Sequence, residues 1–336
     1  MNFNFVATAI GSMPHKDPEE ACSLVHRFLT LPAWPQLPNR SFKEKMDVQF
    51  AEGFPGIRIS EGKAWVDRQE MNSDLERLYF DYSVPDSSPY GISKEFAAGL
   101  HSFTENDGSF RCVKGQITGP ISLGLSLKDE KGCPVMSDDI LRDALVKHLS
   151  LKAMWQEREL LKLFPEVLIF VDEPSLSFLG SAFTTIPPDV AISLLEEVLV
   201  HIHCLKGVHC CSNADWPILL GMPIDVLSFD TYTYYDSLSL YPEEVKRFLD
   251  KGGTISWGIV PSNEESLMKE SLASIKDRLE EAMAPLTRKG ISFRRLVEQG
   301  MLTPSCGLAF LSQEGAREAL EMLAKLSKNI RQKYSL

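Results

Sequence analysis

Residues 5–29 read FVATAIGSMPHKDPEEACSLVHRFL, and this stretch sets the unit from which the chain is built. Residues 5–12 form a short apolar run that closes on Gly11 and Ser12. Asp17 then stands as an N-cap, and over residues 18–29 Ala21, Leu24, Val25 and Phe28 fall on one helical face. One strand is followed by one helix. Working outward, the alternation recurs at AWPQL (33–37), CVKGQIT (112–118), VLIFV (167–171), GVHCC (207–211), VLSFD (226–230), TISWGIV (254–260) and LTPSC (302–306). Long helical patterns intervene, such as ILRDALVKHLSLKAMWQERELLKLF (140–164) and EGAREALEMLAKLSKNIRQKY (314–334). Apolar runs separated by helices predict an α/β fold with a parallel sheet, and eight of them is the number that closes a single (β/α)8 TIM-type barrel. AWPQL is the weakest of the eight because Pro35 has no N–H to give to a ladder. Residues 40–100 are too long for a simple crossover, and AEGFPGIRISEGKAW (51–65) predicts an insertion there with its own hairpin. Residues 1–336 read as one domain.

Composition narrows the function classes. A chain of 336 residues with 44% hydrophobic residues can bury a large core. Its net charge of -11 and lack of a basic stripe argue against nucleic acid. No run approaches the length of a membrane span, and MNFNFVATAIGSMPH has no basic region ahead of an apolar stretch, so a cytoplasmic protein is expected. Seven scattered cysteines do not suggest a disulfide framework, which leaves reduced thiols available as ligands.

GVHCC gives those thiols a direction. Side chains at i and i+2 of a strand share a face, so His209 and Cys211 point together and Cys210 points away as a small buried hydrophobe. A lone His-x-Cys is more often core than ligand. Here, however, Asp230 closes VLSFD and Cys306 closes LTPSC, and in a barrel all strand ends converge on the C-terminal mouth. One imidazole, two thiolates and a carboxylate suit Zn2+ better than magnesium or calcium.

Seven motifs in order extend this pattern across nearly the whole chain: AIGS (9–12), MDVQFAEG (46–53), VKGQITGP (113–120), VDEPSL (171–176), HCCSN (209–213), DVLSFD (225–230) and PSCGL (304–308). Together they resemble the catalytic C-terminal half of cobalamin-independent methionine synthase, a zinc enzyme on a (β/α)8 barrel. The resemblance implies that His209, Cys211 and Cys306 ligate zinc, with Asp230 where the family has a ligating glutamate. It implies that Ile10, Gly11 and Ser12 cradle the carboxylate of homocysteine, and that Glu52 and Asp172 hold its amino group. Beyond the zinc site it implies no further catalytic residue.

The departures from the family all fall on the methyl donor. Ser126 stands where the family has a tryptophan that packs on folate, Phe178 where it has a folate-contacting glutamate, and Asn263 where it has the histidine that protonates the folate leaving group. The N-terminal half that grips polyglutamylated folate is expected to be missing as well, as in the short "core" methionine synthases. Displacing a folate amine benefits from a general acid, whereas cobalt(I) leaving a methylcobamide needs no proton. The expected donor is therefore methylcobalamin or a methylated corrinoid protein.

Two other readings stay open: a coenzyme M-type methyltransferase or uroporphyrinogen decarboxylase-like enzyme, and a non-catalytic zinc-binding module that docks a corrinoid protein. The remaining histidines and cysteines carry less. His201, His203 and Cys204 read as a packed helix end, His15 as a solvated loop residue, and Cys22, Cys112 and Cys133 have no partners that the sequence supplies.

Overall fold

The computed structural model describes residues 2–60, 62–105, 109–179 and 186–336. Ten strands are present among them: β1 (Val6–Ala7), β2 (Ile57–Ser60), β3 (Lys63–Val66), β4 (Cys112–Thr118), β5 (Lys128–Asp129), β6 (Glu166–Asp172), β7 (Leu205–Cys210), β8 (Val226–Phe229), β9 (Thr254–Val260) and β10 (Gly300–Pro304). Seven of these form a curled sheet in the order β1-β10-β9-β8-β7-β6-β4, and every neighbouring pair in it is parallel. Parallel neighbours need crossovers, and helices supply them. The first is Pro18–Phe28, where Asp17 caps by accepting the N–H of Glu19 at 2.8 Å.

AWPQL is the point at which the eight-strand expectation needs correction. It is not a regular strand, yet it lies between the two edges of the sheet through isolated bridges, Ala33 to Lys114 on β4 and Gln36 to Ser12 beyond β1. Lys114 donates its backbone N–H to Pro32 O at 2.8 Å, and Gln36 donates to Gly11 O at 3.0 Å. Between them Pro35 has no N–H, so the ladder cannot run through. β1 is also shorter than its apolar run, with register pairs only from Val6 to Met301 and Ala7 to Leu302. Within the insertion, β2 and β3 form the expected antiparallel hairpin, and β5 adds to β3.

Alternation along the strands sorts the interior into layers. One set of side chains, including Val208, Cys210, Leu227, Phe229, Ile255 and Trp257, packs into the large core under the helices. The alternate set starts with a small apolar cluster of Phe3, Leu31, Cys112, Leu168, Phe170, Val226 and Met301. Two residues further along the strands the same face carries Thr8, Lys114, Ser228, Ser256 and Thr303, all buried. A further step brings Ile10, Gln116, Asp172, His209 and Asp230 to the C-terminal end. The sheet is thus apolar at its base and polar in the middle, and the candidate residues stand at its mouth. Among the described residues no helix is long and apolar enough to cross a membrane.

Candidate metal centre

His209 is the penultimate residue of β7, Cys211 follows that strand, and Cys306 lies two residues beyond β10. Their ligand atoms all lie within 4.8 Å of one another, and among the described residues these three form the group able to hold a metal ion. Two sulfurs and an imidazole nitrogen are a soft, nitrogen-containing set of the kind zinc selects. The imidazole is oriented for it. Nδ1 of His209 lies 3.0 Å from Ser228 Oγ, whereas Nε2 is buried with no hydrogen-bond partner. Leaving such an atom unpaired costs about 1–3 kcal/mol, a cost that metal ligation would relieve. The donor set and the orphaned nitrogen therefore fit the ion.

The two thiols influence one another. The contact with Cys306, and after it the neighbouring His209, holds the Cys211 thiol well below the usual range, despite burial. The same contact, reinforced by burial, holds Cys306 above it.

Asp230 does not join the three. One of its carboxylate oxygens accepts the Thr233 N–H at 2.8 Å, and burial pushes its pKa up to about 6 against that bond. Asp172 closes β6 and enters a cavity of about 220 Å³ that Ile10, Ser12, Gln36, His209, Cys211 and Cys306 also line. Burial raises Asp172 to about 6, opposed by Lys114, and its Oδ1 has no partner. Gly11 sits at φ 148°. A Cβ there would fall 2.7 Å from Gln36 Oε1 and 2.8 Å from Gln116 Nε2, so only glycine fits this turn. Glu52 is placed elsewhere: it is half-buried, accepts the Ser93 N–H at 2.9 Å, and is not part of the cavity lining. A slightly larger cavity, about 280 Å³, lies within the insertion between Arg58, Glu70, Asp74 and Arg77, but none of the thiols or the imidazole line it.

The structure also corrects one reading and adds residues. His15 is buried, not solvated, and burial lowers its pKa. Gln36 and Glu44 line the cavity; the end of AWPQL would have pointed to Gln36 had that segment been read as a strand end at the mouth. Glu44 is fully buried and accepts the Leu37 N–H. The other acid of VDEPSL, Glu173, serves the scaffold: it accepts from Ile121 N, Ser122 N and Ser122 Oγ at 2.7–2.9 Å. Ser126 ends the helix Pro120–Ser126 with its hydroxyl on Leu123 O, Phe178 is exposed, and Asn263 caps the helix Glu264–Leu267 by accepting the Ser266 N–H at 2.9 Å.

No protein-family model and no curated protein matches the sequence. Solved structures do match the fold. A B12-independent methionine synthase from Shewanella sp. W3-18-1, in complex with selenomethionine, superposes with a TM-score of 0.62 at 14% identity, covering 97% of this chain and 98% of that one. A putative vitamin-B12-independent methionine synthase from Listeria monocytogenes gives 0.55 at 17% identity over 93% and 85%. A methyltransferase from Methanosarcina mazei gives 0.58 at 13% over 96% and 93%. At these identities the likeness establishes a shared fold.

Proposed function

We propose that this chain is a zinc-dependent methyltransferase on a (β/α)8 barrel, with AWPQL as its irregular second strand, and that it methylates homocysteine to give methionine. The observation that carries the reading is the convergence of His209, Cys211 and Cys306 on a cavity that also exposes Asp172. Solved methionine synthase-like structures with the same fold support it.

In this reading His209, Cys211 and Cys306 hold the ion, and Asp230, whose one oxygen accepts from Thr233, offers its second oxygen as the fourth ligand. When bound, zinc would stabilise the sulfur anion of a substrate thiol and so make it nucleophilic at neutral pH. The rest is done by the chain. Asp172 receives the substrate ammonium, whereas Glu52, the other acid that the resemblance assigns to it, accepts from Ser93 outside the cavity lining. Ile10, Gly11 and Ser12 give the carboxylate a turn with no Cβ at its centre. The methyl donor is a methylcobamide, free or carried by a corrinoid protein. Ser126, Phe178 and Asn263 support this by giving a folate neither a stacking tryptophan nor a general acid.

The test is direct. Purified protein should hold about one zinc per chain, and His209→Ala and Cys306→Ser should each lower metal content and methyl transfer together. Full activity without zinc would sink the reading. Equal rates with homocysteine and mercaptoethanesulfonate would favour a coenzyme M-type enzyme instead.

A further inference from the structure

We propose that Ser228 is a positioning residue that sets which ring nitrogen His209 presents to the two thiols. This rests on reading the cluster as a metal site. His209 and Ser228 are register partners on β7 and β8, both are buried, and Ser228 Oγ lies 3.0 Å from Nδ1. Two arrangements satisfy that contact. With the proton on Nδ1, the ring donates to Ser228 and Nε2 carries a lone pair towards Cys211 and Cys306. With the proton on Nε2, Ser228 donates and the face towards the thiols is blocked to a cation.

The surroundings favour the first arrangement. Ser228 must then direct its own O–H elsewhere, and the next strand provides a place. Ser256 is the register partner of Ser228 on β9. Its Oγ, like Thr303 Oγ1 on β10, is buried without a hydrogen-bond partner in the structure. An unassisted imidazole prefers the proton on Nε2, so the polar middle layer works against the intrinsic preference. Partners of this kind are typically worth 10–100-fold in metal affinity.

The test compares wild type, Ser228→Ala and Ser228→Thr as full-length proteins. Zinc affinity is measured by chelator competition, and the His209 tautomer by nitrogen-15 NMR in metal-free and zinc-loaded protein. Ser228→Ala should bind zinc about 10–100-fold more weakly and shift His209 towards the Nε2–H form, while Ser228→Thr should restore both. Equal melting temperatures of the metal-free proteins separate this from a folding defect, which Ser228→Thr would also repair. Zinc binding by Ser228→Ala as tight as wild type would overturn the proposal. Failure of the wild type to bind zinc would instead sink the metal reading. The proposal is then decided by the metal-free spectra: a Ser228-dependent tautomer upholds it, and identical spectra for wild type and Ser228→Ala overturn it.

Discussion

Lys114 Nζ donates to the carbonyl oxygen of Ile10 at 2.5 Å, so a fully buried ammonium grips the backbone where the glycine turn begins. It also donates to Gln116 Oε1 at 3.2 Å and lies 4.8 Å from the centre of the Phe170 ring. Burial lowers its pKa to about 8, opposed by the nearby Asp172. Lys114→Met keeps most of the side chain but leaves the Ile10 and Gln116 oxygens without their donor, each worth about 1–3 kcal/mol. Relief from burying the charge offsets part of that. The net expectation is a loss of about 1–3 kcal/mol in urea unfolding and a rise of roughly tenfold in the KM for homocysteine, about 1.4 kcal/mol of binding. An unchanged KM would remove Lys114 from the substrate site.

Gly11→Ala should be costly for two separable reasons, backbone and space. At φ 148° an alanine is strained by itself, and its Cβ would press on Gln36 and Gln116, both buried. Gly53→Ala provides the comparison, since Gly53 has φ 76° with nothing within 4 Å of the added carbon. Gly53→Ala is expected to cost about 1 kcal/mol and Gly11→Ala about 2–4 kcal/mol, from the strain and overpacking ranges together. Urea titrations giving equal losses at both positions would show that Gln36 and Gln116 move aside freely.

His148 should couple stability to pH. It lies between Phe54 and Tyr90, its Nε2 is 2.9 Å from Phe50 O, and Nδ1 is buried without a partner. Burial, with the charge of Lys152 second, holds its pKa well below the usual 6.5. Because the folded value is depressed, the unfolded chain takes up the proton first. Stability from the neutral ring is full above about pH 6.5 and is lost as pH falls below it, by about 1.4 kcal/mol per pH unit. Asp172 and Glu173, raised to about 6 and about 7, act with the opposite sign, so the wild-type curve alone does not isolate His148. His148→Gln keeps a donor for Phe50 O. The stability gap between wild type and this variant should shift by about that slope between pH 6 and 5, and parallel curves would exclude the ring.

Much of this architecture was legible in the residues. CVKGQIT and TISWGIV coincide with β4 and β9, which are buried over their full length even at polar positions such as Lys114, Gln116 and Ser256. The pairing of His209 with Cys211 followed from strand alternation alone, and Cys306 from its place at a strand end. AWPQL was only half legible, since Pro35 removes the ladder bond but not the position in the fold. Glu52 and Asp230 show what motif spacing omits: each carboxylate has a nearby backbone N–H, from Ser93 and from Thr233, that competes for it. The burial of His15, Glu44 and Lys114 depends on contacts between distant segments and carries no local signature.

The proposed donor is the feature that would separate this protein most sharply from a folate enzyme. Asn263 already has a task, accepting the Ser266 N–H as the cap of the helix Glu264–Leu267. Replacing it by histidine should cost about 0.5–2 kcal/mol of cap stability and bring no folate activity, because Ser126 still offers no aromatic surface for a pterin. The unmodified chain should use methyltetrahydrofolate negligibly at any glutamate length. It should accept methyl groups slowly from free methylcobalamin and faster from a methylated corrinoid protein, whose docking raises the local concentration of the cofactor at the mouth. Initial rates of methionine formation from the three donors at equal concentration test the ordering, which matters more than the magnitudes. Rapid turnover with methyltetrahydrofolate would mean that Ser126, Phe178 and Asn263 do not mark the loss of a folate site, and that a general acid other than the missing histidine protonates the leaving amine.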